Sequence, residues 1–82
     1  MITVQVKLFA SAREIAGTEL LTLSLPDGSR ASVVIDSLIE KKSEFSAWKK
    51  YLRLAVNRQY VLNDHPLKNN DEVAVIPPVS GG

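Results

Sequence analysis

The 82 residues allow a single domain with one modest core, burying roughly 60–65% of the surface its unfolded chain exposes. Hydrophobic residues at 45% and charged residues at 23% argue for a globular chain. A formal charge of +1 gives no electrostatic reason to expect nucleic acid or an anionic membrane as partner. Cysteine is absent, which excludes disulfides, thiolate metal sites and thiol nucleophiles, and the single histidine, His65, excludes a His-pair metal site and argues against a Ser-His-Asp triad. No metal site is expected. No apolar run approaches the roughly 18 residues of a membrane span, and residues 1–8 alternate instead of forming a basic region followed by an apolar one. A cytoplasmic domain without signal peptide or membrane partner is therefore expected.

Ile2, Val4, Val6 and Leu8 alternate with Thr3, Gln5, Lys7 and Phe9, the period of a strand with one buried face. Residues 10–16 are good helix formers stopped by Gly17. Leu21, Leu23 and Leu25 alternate with Thr22 and Ser24 as a second strand, and Pro26-Asp27-Gly28-Ser29 signals a turn. A helix is expected over residues 32–42, with Ser32 as N-cap and an apolar stripe in Val34/Leu38 and Ile35/Ile39. Lys41 and Lys42 favour the C-terminal end of its dipole. In residues 43–52, Phe45, Trp48, Tyr51 and Leu52 suit one face of a short second helix. Residues 54–56 and 60–62 read as short strands joined tightly around Asn57-Arg58, Asn69-Asn70-Asp71 as a turn, and residues 72–76 as the last strand. This order gives an α+β chain with a mixed sheet.

Residues 1–76 are expected to form the domain and residues 77–82 a flexible tail, Pro77-Pro78-Val79-Ser80-Gly81-Gly82. The prolines cannot join a ladder and favour a stiff, extended exit. Fully extended, the tail reaches about 20 Å at roughly 3.3 Å per residue. Gly81 and Gly82 make a thread that can pass a channel too narrow for a Cβ. The Gly82 carboxylate can be activated by ATP as an acyl adenylate and then attacked by a nucleophile. The chain has no GxxxxGK loop, so a partner must supply the ATP chemistry. The bland alternative is a frayed end.

Three segments carry a resemblance to the small, sulfur-carrier subunits of molybdopterin synthase, the MoaD type. They are Leu8-Phe9-Ala10-Ser11-Ala12-Arg13-Glu14-Ile15-Ala16-Gly17, then Ala55-Val56-Asn57-Arg58 with Asp64-His65-Pro66-Leu67, and finally residues 71–82. The resemblance covers about half the chain, in order and spacing, and residues 43–53 carry none of it. It implies a ubiquitin-like β-grasp fold with the helix of residues 32–42 packed across a mixed sheet. It also implies that a MoeB-like enzyme adenylates Gly82 with ATP, after which a terminal thiocarboxylate forms. The tail, Pro77 to Gly81 leading, would enter a MoaE-like large subunit and donate sulfur to cyclic pyranopterin monophosphate, which that subunit binds. The product is the dithiolene of molybdopterin, and the assembly a heterotetramer. The chain itself would bind no cofactor and be a sulfur-donating subunit without activity alone. A ThiS-type carrier for thiazole synthesis, a ubiquitin-like protein modifier and a plain β-grasp binding module are the competing readings.

Phe9 and Ile76 fall out of phase with the buried positions of their strands. They either form an exposed docking patch or lie beneath residues 43–52. Arg13 is either a contact for a partner's carboxylate or a solvated helix charge. His65 and Asp64 read as turn residues, with Asp64 supporting the turn through its side chain. Trp48 and Tyr51 read as packing.

Overall fold

The computed structural model describes residues 1–77. β1 (Ile2–Leu8) buries Ile2, Val4, Val6 and Leu8 and turns Thr3, Gln5 and Lys7 to the other face, as the alternation requires. It is followed by α1 (Ala10–Ala16), β2 (Leu20–Leu25), α2 (Ser32–Lys41), a 3-10 helix (Ser43–Trp48), β3 (Arg53–Val56), β4 (Gln59–Val61) and β5 (Glu72–Ile76). The described residues form a sheet of five strands in the order β2-β1-β5-β3-β4, with β1 and β5 parallel and the other neighbours antiparallel. Val34, Ile35 and Leu38 of α2 enter the core that Val4, Val6, Leu54, Val73 and Val75 build from the sheet. This is the expected ubiquitin-like β-grasp arrangement, with one sheet face covered by the helix.

α2 departs from expectation at both ends. Ser32 is its first residue and not its cap; Ala31 precedes it with helical torsions, fully buried, and no side chain caps the end. The amides of Ala31 and Ser32 donate instead to the carbonyls of His65 at 2.8 Å and Asn63 at 2.9 Å. Tertiary carbonyls thus satisfy donors that a local cap usually serves. The helix stops at Lys41, and Lys42 is extended while its amide still donates to the Leu38 carbonyl at 2.8 Å.

Residues 43–52 hold a 3-10 turn in place of the expected helical face. Its tighter winding aligns Phe45 and Trp48, three apart. Phe45 is buried at 1% exposure and Trp48 half-buried, whereas Tyr51 points to solvent at 62%. β3 starts and β4 stops one residue before the expected bounds, joined by Asn57 and Arg58 at φ 50° and 73°. Two positive φ values mark the tight hairpin turn whose twist matches the strands. Gly17 ends α1 in the left-handed region at φ 77°, its amide donating to the Arg13 carbonyl at 2.9 Å.

Candidate functional site at the end of β5 and the open sheet face

Because β1 and β5 run parallel, their C-terminal ends lie side by side, with Leu8 in register with Val75. Phe9 and Ile76, next along each strand, therefore leave the sheet from adjacent positions, while Arg53 faces Ile76 from β3. Phe9 keeps extended torsions, φ −119° and ψ 152°, so the alternation continues and its side chain lies on the face away from α2. It is 48% exposed, Ile76 is half-buried, and the 3-10 segment sends Phe45 into the core instead of covering them. The 3-10 segment therefore does not cover Phe9, which stays open to solvent.

The open face carries more apolar surface than these two residues. The register aligns Leu20, Lys7, Ala74, Ala55 and Tyr60 in one row across five strands. Leu20 is 49% exposed, Tyr60 70% and Leu62, just past β4, 78%. The sequence held the signal for Leu20, which breaks phase with Leu21, Leu23 and Leu25 as Phe9 does with β1. Lys7 lies 3.3 Å from Glu72 in the middle of this face. Beside it, Lys7, Phe9, Arg13, Glu19 and Leu20 line a hollow of about 410 Å³. Arg13 is exposed and 3.9 Å from Glu19, itself exposed, a pairing too loose and wet to hold the guanidinium in place.

Pro77, which the sequence places at the start of the tail, is buried, so packing continues to that residue. Pro78, Val79, Ser80, Gly81 and Gly82 lie outside the described residues. Among the described residues no group of three His, Cys, Asp or Glu side chains is placed to hold a metal ion, and no helix is long and apolar enough to cross a membrane.

A second polar cluster serves the scaffold. Asp71, 9% exposed, accepts from Asn57 Nδ2 at 3.0 Å and from the Lys68 amide at 2.7 Å. Asn57 also accepts from the Glu72 amide through Oδ1 at 3.0 Å and donates its own amide to the Glu72 carbonyl at 2.8 Å. The hairpin turn is thereby fastened to the start of β5. His65 is half-buried beside it and acts through its carbonyl on α2. Asp64 likewise contributes its carbonyl, which accepts from Arg30 Nη1 at 2.7 Å, and not the side-chain turn expected of it.

A β-grasp domain whose open face adjoins the end of its last strand matches a known group. The ThiS family matches residues 6–82, and the chain belongs to that family. The molybdopterin synthase sulfur carrier subunit of Arabidopsis thaliana is 37% identical over 81 residues, covering 99% of this chain and 84% of that protein. Among solved structures, a Pyrococcus furiosus protein described as molybdopterin converting factor subunit 1 superposes with a TM-score of 0.86 at 32% identity, covering 96% of this chain and 100% of that one. Small archaeal modifier protein 1 of Methanosarcina acetivorans superposes with a TM-score of 0.81, also at 32% identity, covering 100% of this chain and 98% of that one.

Proposed function

We propose that this chain is the cytoplasmic sulfur-carrier small subunit of a molybdopterin synthase, loaded and unloaded at Gly82. The observation that carries the reading is where β5 ends: beside Phe9 and Arg53, on the sheet face that α2 leaves open, in a chain similar to named sulfur carrier subunits. In the loading step the Gly82 carboxylate oxygen attacks the α-phosphorus of ATP on a MoeB-like enzyme, and pyrophosphate leaves. A sulfur nucleophile supplied by a donor then displaces AMP and leaves a thiocarboxylate. That anionic sulfur needs no cysteine on the carrier. Inside a MoaE-like large subunit the sulfur attacks the pterin precursor, and water releases the tail as its carboxylate for another round. Two sulfurs complete one dithiolene.

Docking uses the open face around Phe9 and Ile76, extended by Leu20, Tyr60 and Leu62, with Arg13 at its rim. Tail insertion alone is a weak anchor, because ordering each backbone residue costs about 1–2 kcal/mol. The docked face raises the local concentration of the tail at the channel mouth. Pro78 beside the buried Pro77 lowers the ordering cost by restricting the free chain.

Intact-mass spectrometry after incubation with the adenylating enzyme, ATP and a sulfur donor tests the reading. One sulfur in place of one terminal oxygen is expected, and a chain lacking Gly82 should fold normally yet gain no sulfur. Sulfur on the shortened chain would refute the assignment. The isolated chain should neither hydrolyse ATP nor convert the pterin precursor. The likeness to a small archaeal modifier protein favours one second reading, conjugation of Gly82 to lysines of other proteins. Isopeptide adducts in cells, with no free thiocarboxylate, would decide for it.

A further inference from the structure

β2 is an outer strand of the sheet, and its backbone is unusually unprotected. It pairs with β1 antiparallel, Val6 opposite Leu21 and Val4 opposite Leu23, and the Leu8 amide donates to the Glu19 carbonyl at 3.0 Å. Hydrogen-bonded pairs alternate along such a ladder, so Leu21, Leu23 and Leu25 turn their backbone groups to β1. Leu20, Thr22 and Ser24 turn theirs outward. The groups of Leu20 are taken: the Thr18 hydroxyl donates to its carbonyl at 3.2 Å and accepts from its amide at 3.4 Å. Thr22 and Ser24 remain, each presenting an N–H and a C=O. Natural edges are blunted by charge, proline, a bulge or short length, and Leu-Leu-Thr-Leu-Ser-Leu has none of these. The opposite edge, β4, has three residues, and its hairpin turns only those of Tyr60 outward.

We propose that β2 pairs antiparallel with β2 of a second copy of this chain, on a two-fold axis through Leu23. Only pairings that keep buried positions opposite buried ones preserve both cores. In the one centred on Leu23, Thr22 lies opposite Ser24 of the second copy, and Ser24 opposite its Thr22. The outward N–H and C=O groups of both copies are then all consumed. The next pair outward is Leu20 with Pro26 of the second copy. Leu20 is already satisfied by Thr18, Pro26 has no N–H, and its carbonyl accepts from the Ser29 amide and hydroxyl at 3.2 Å and 2.6 Å. The pairing ends there with nothing left unmatched. Charge agrees. The strand is neutral, and a hollow of about 420 Å³ between β2 and α2 is bordered by one anion, Glu40, and one cation, Lys41.

The resulting sheet runs continuously through both copies, with both α2 helices on one side and both open faces on the other. The end of β5 stays clear, because β1 stands between it and the new contact. The dimer rests on the edge alone and stands or falls independently of the sulfur-carrier reading.

Sedimentation equilibrium of the full chain from about 20 µM to about 1 mM tests it, a range over which weak self-association appears by mass action. The weight-average mass should climb toward twice the monomer value, and the Thr22 and Ser24 amides should exchange more slowly as concentration rises. The double variant Thr22→Lys with Ser24→Lys sets lysines opposite lysines on exposed positions that leave the core untouched, and should stay monomeric at every concentration. Mixing it with Thr22→Glu/Ser24→Glu should restore the dimer mass. A constant monomer mass in the parent chain overturns the proposal, as does a lysine variant that associates equally well or a mixture that remains monomeric.

Discussion

Asn57 ties the β3–β4 turn to β5 through three hydrogen bonds, while holding a backbone angle that suits few side chains. Asn57→Ala removes both side-chain bonds and leaves the buried Asp71 short of a donor, so unfolding free energy should fall by about 1–3 kcal/mol in urea titrations. Asn57→Gly loses the same bonds but relieves the left-handed backbone, so it should cost less than alanine; the reverse order would show that the backbone angle carries little strain here. Phe9 gives the opposite test. It occupies the N-cap of α1 without any side-chain bond to the helix, although its carbonyl accepts from the Ala12 amide at 3.0 Å. Phe9→Asp supplies a capping oxygen while placing a charge in the proposed contact. Stability should hold or rise by about 0.5–1 kcal/mol. Affinity for the large subunit should fall at least about tenfold, a loss of roughly 1.4 kcal/mol. Unchanged affinity in calorimetric titration would remove Phe9 from the docking face.

The elements differ in how far local sequence specifies them. β1 and β2 were legible because each shows a clean period of two, and α1 because Gly17 supplies a left-handed stop that costs glycine nothing. A Cβ at Gly17 would meet nothing within 4 Å, so Gly17→Ala isolates the backbone term. It should cost about 1 kcal/mol, read as a fall in melting temperature of roughly 4–8 °C. The start of α2 was not legible, since carbonyls from Asn63 and His65 do the work of a cap and no local pattern reports them. The 3-10 turn was hidden because Phe45 and Trp48 fit either helix type, and only packing against the core chooses between them. At the candidate site, phase alone picked out Phe9 and Ile76. The row from Leu20 to Tyr60 emerged only when the order of strands set those residues on one line.

For the whole molecule, one core carries the fold, and Phe45 fills its end beneath α2 at 1% exposure. Phe45→Ala should cost about 3–5 kcal/mol through lost burial and the cavity left behind. Against the total of about 4–12 kcal/mol expected for a chain this size, that leaves a marginal protein, visible as a broadened melt near room temperature. A fully cooperative melt at the parent temperature would show that the core closes over the gap. The place of β5 reaches further, into synthesis. It is the middle strand of the sheet, yet the last to be made, and its parallel partner β1 is the first. A nascent chain emerging from the ribosome has two separate hairpins and a helix with no centre to join them. Folding waits until β5 has been made, and a product cut short before β5 cannot assemble the open face. Only chains made through β5 can then present the proposed docking face, so interrupted translation products lack it without any separate surveillance step.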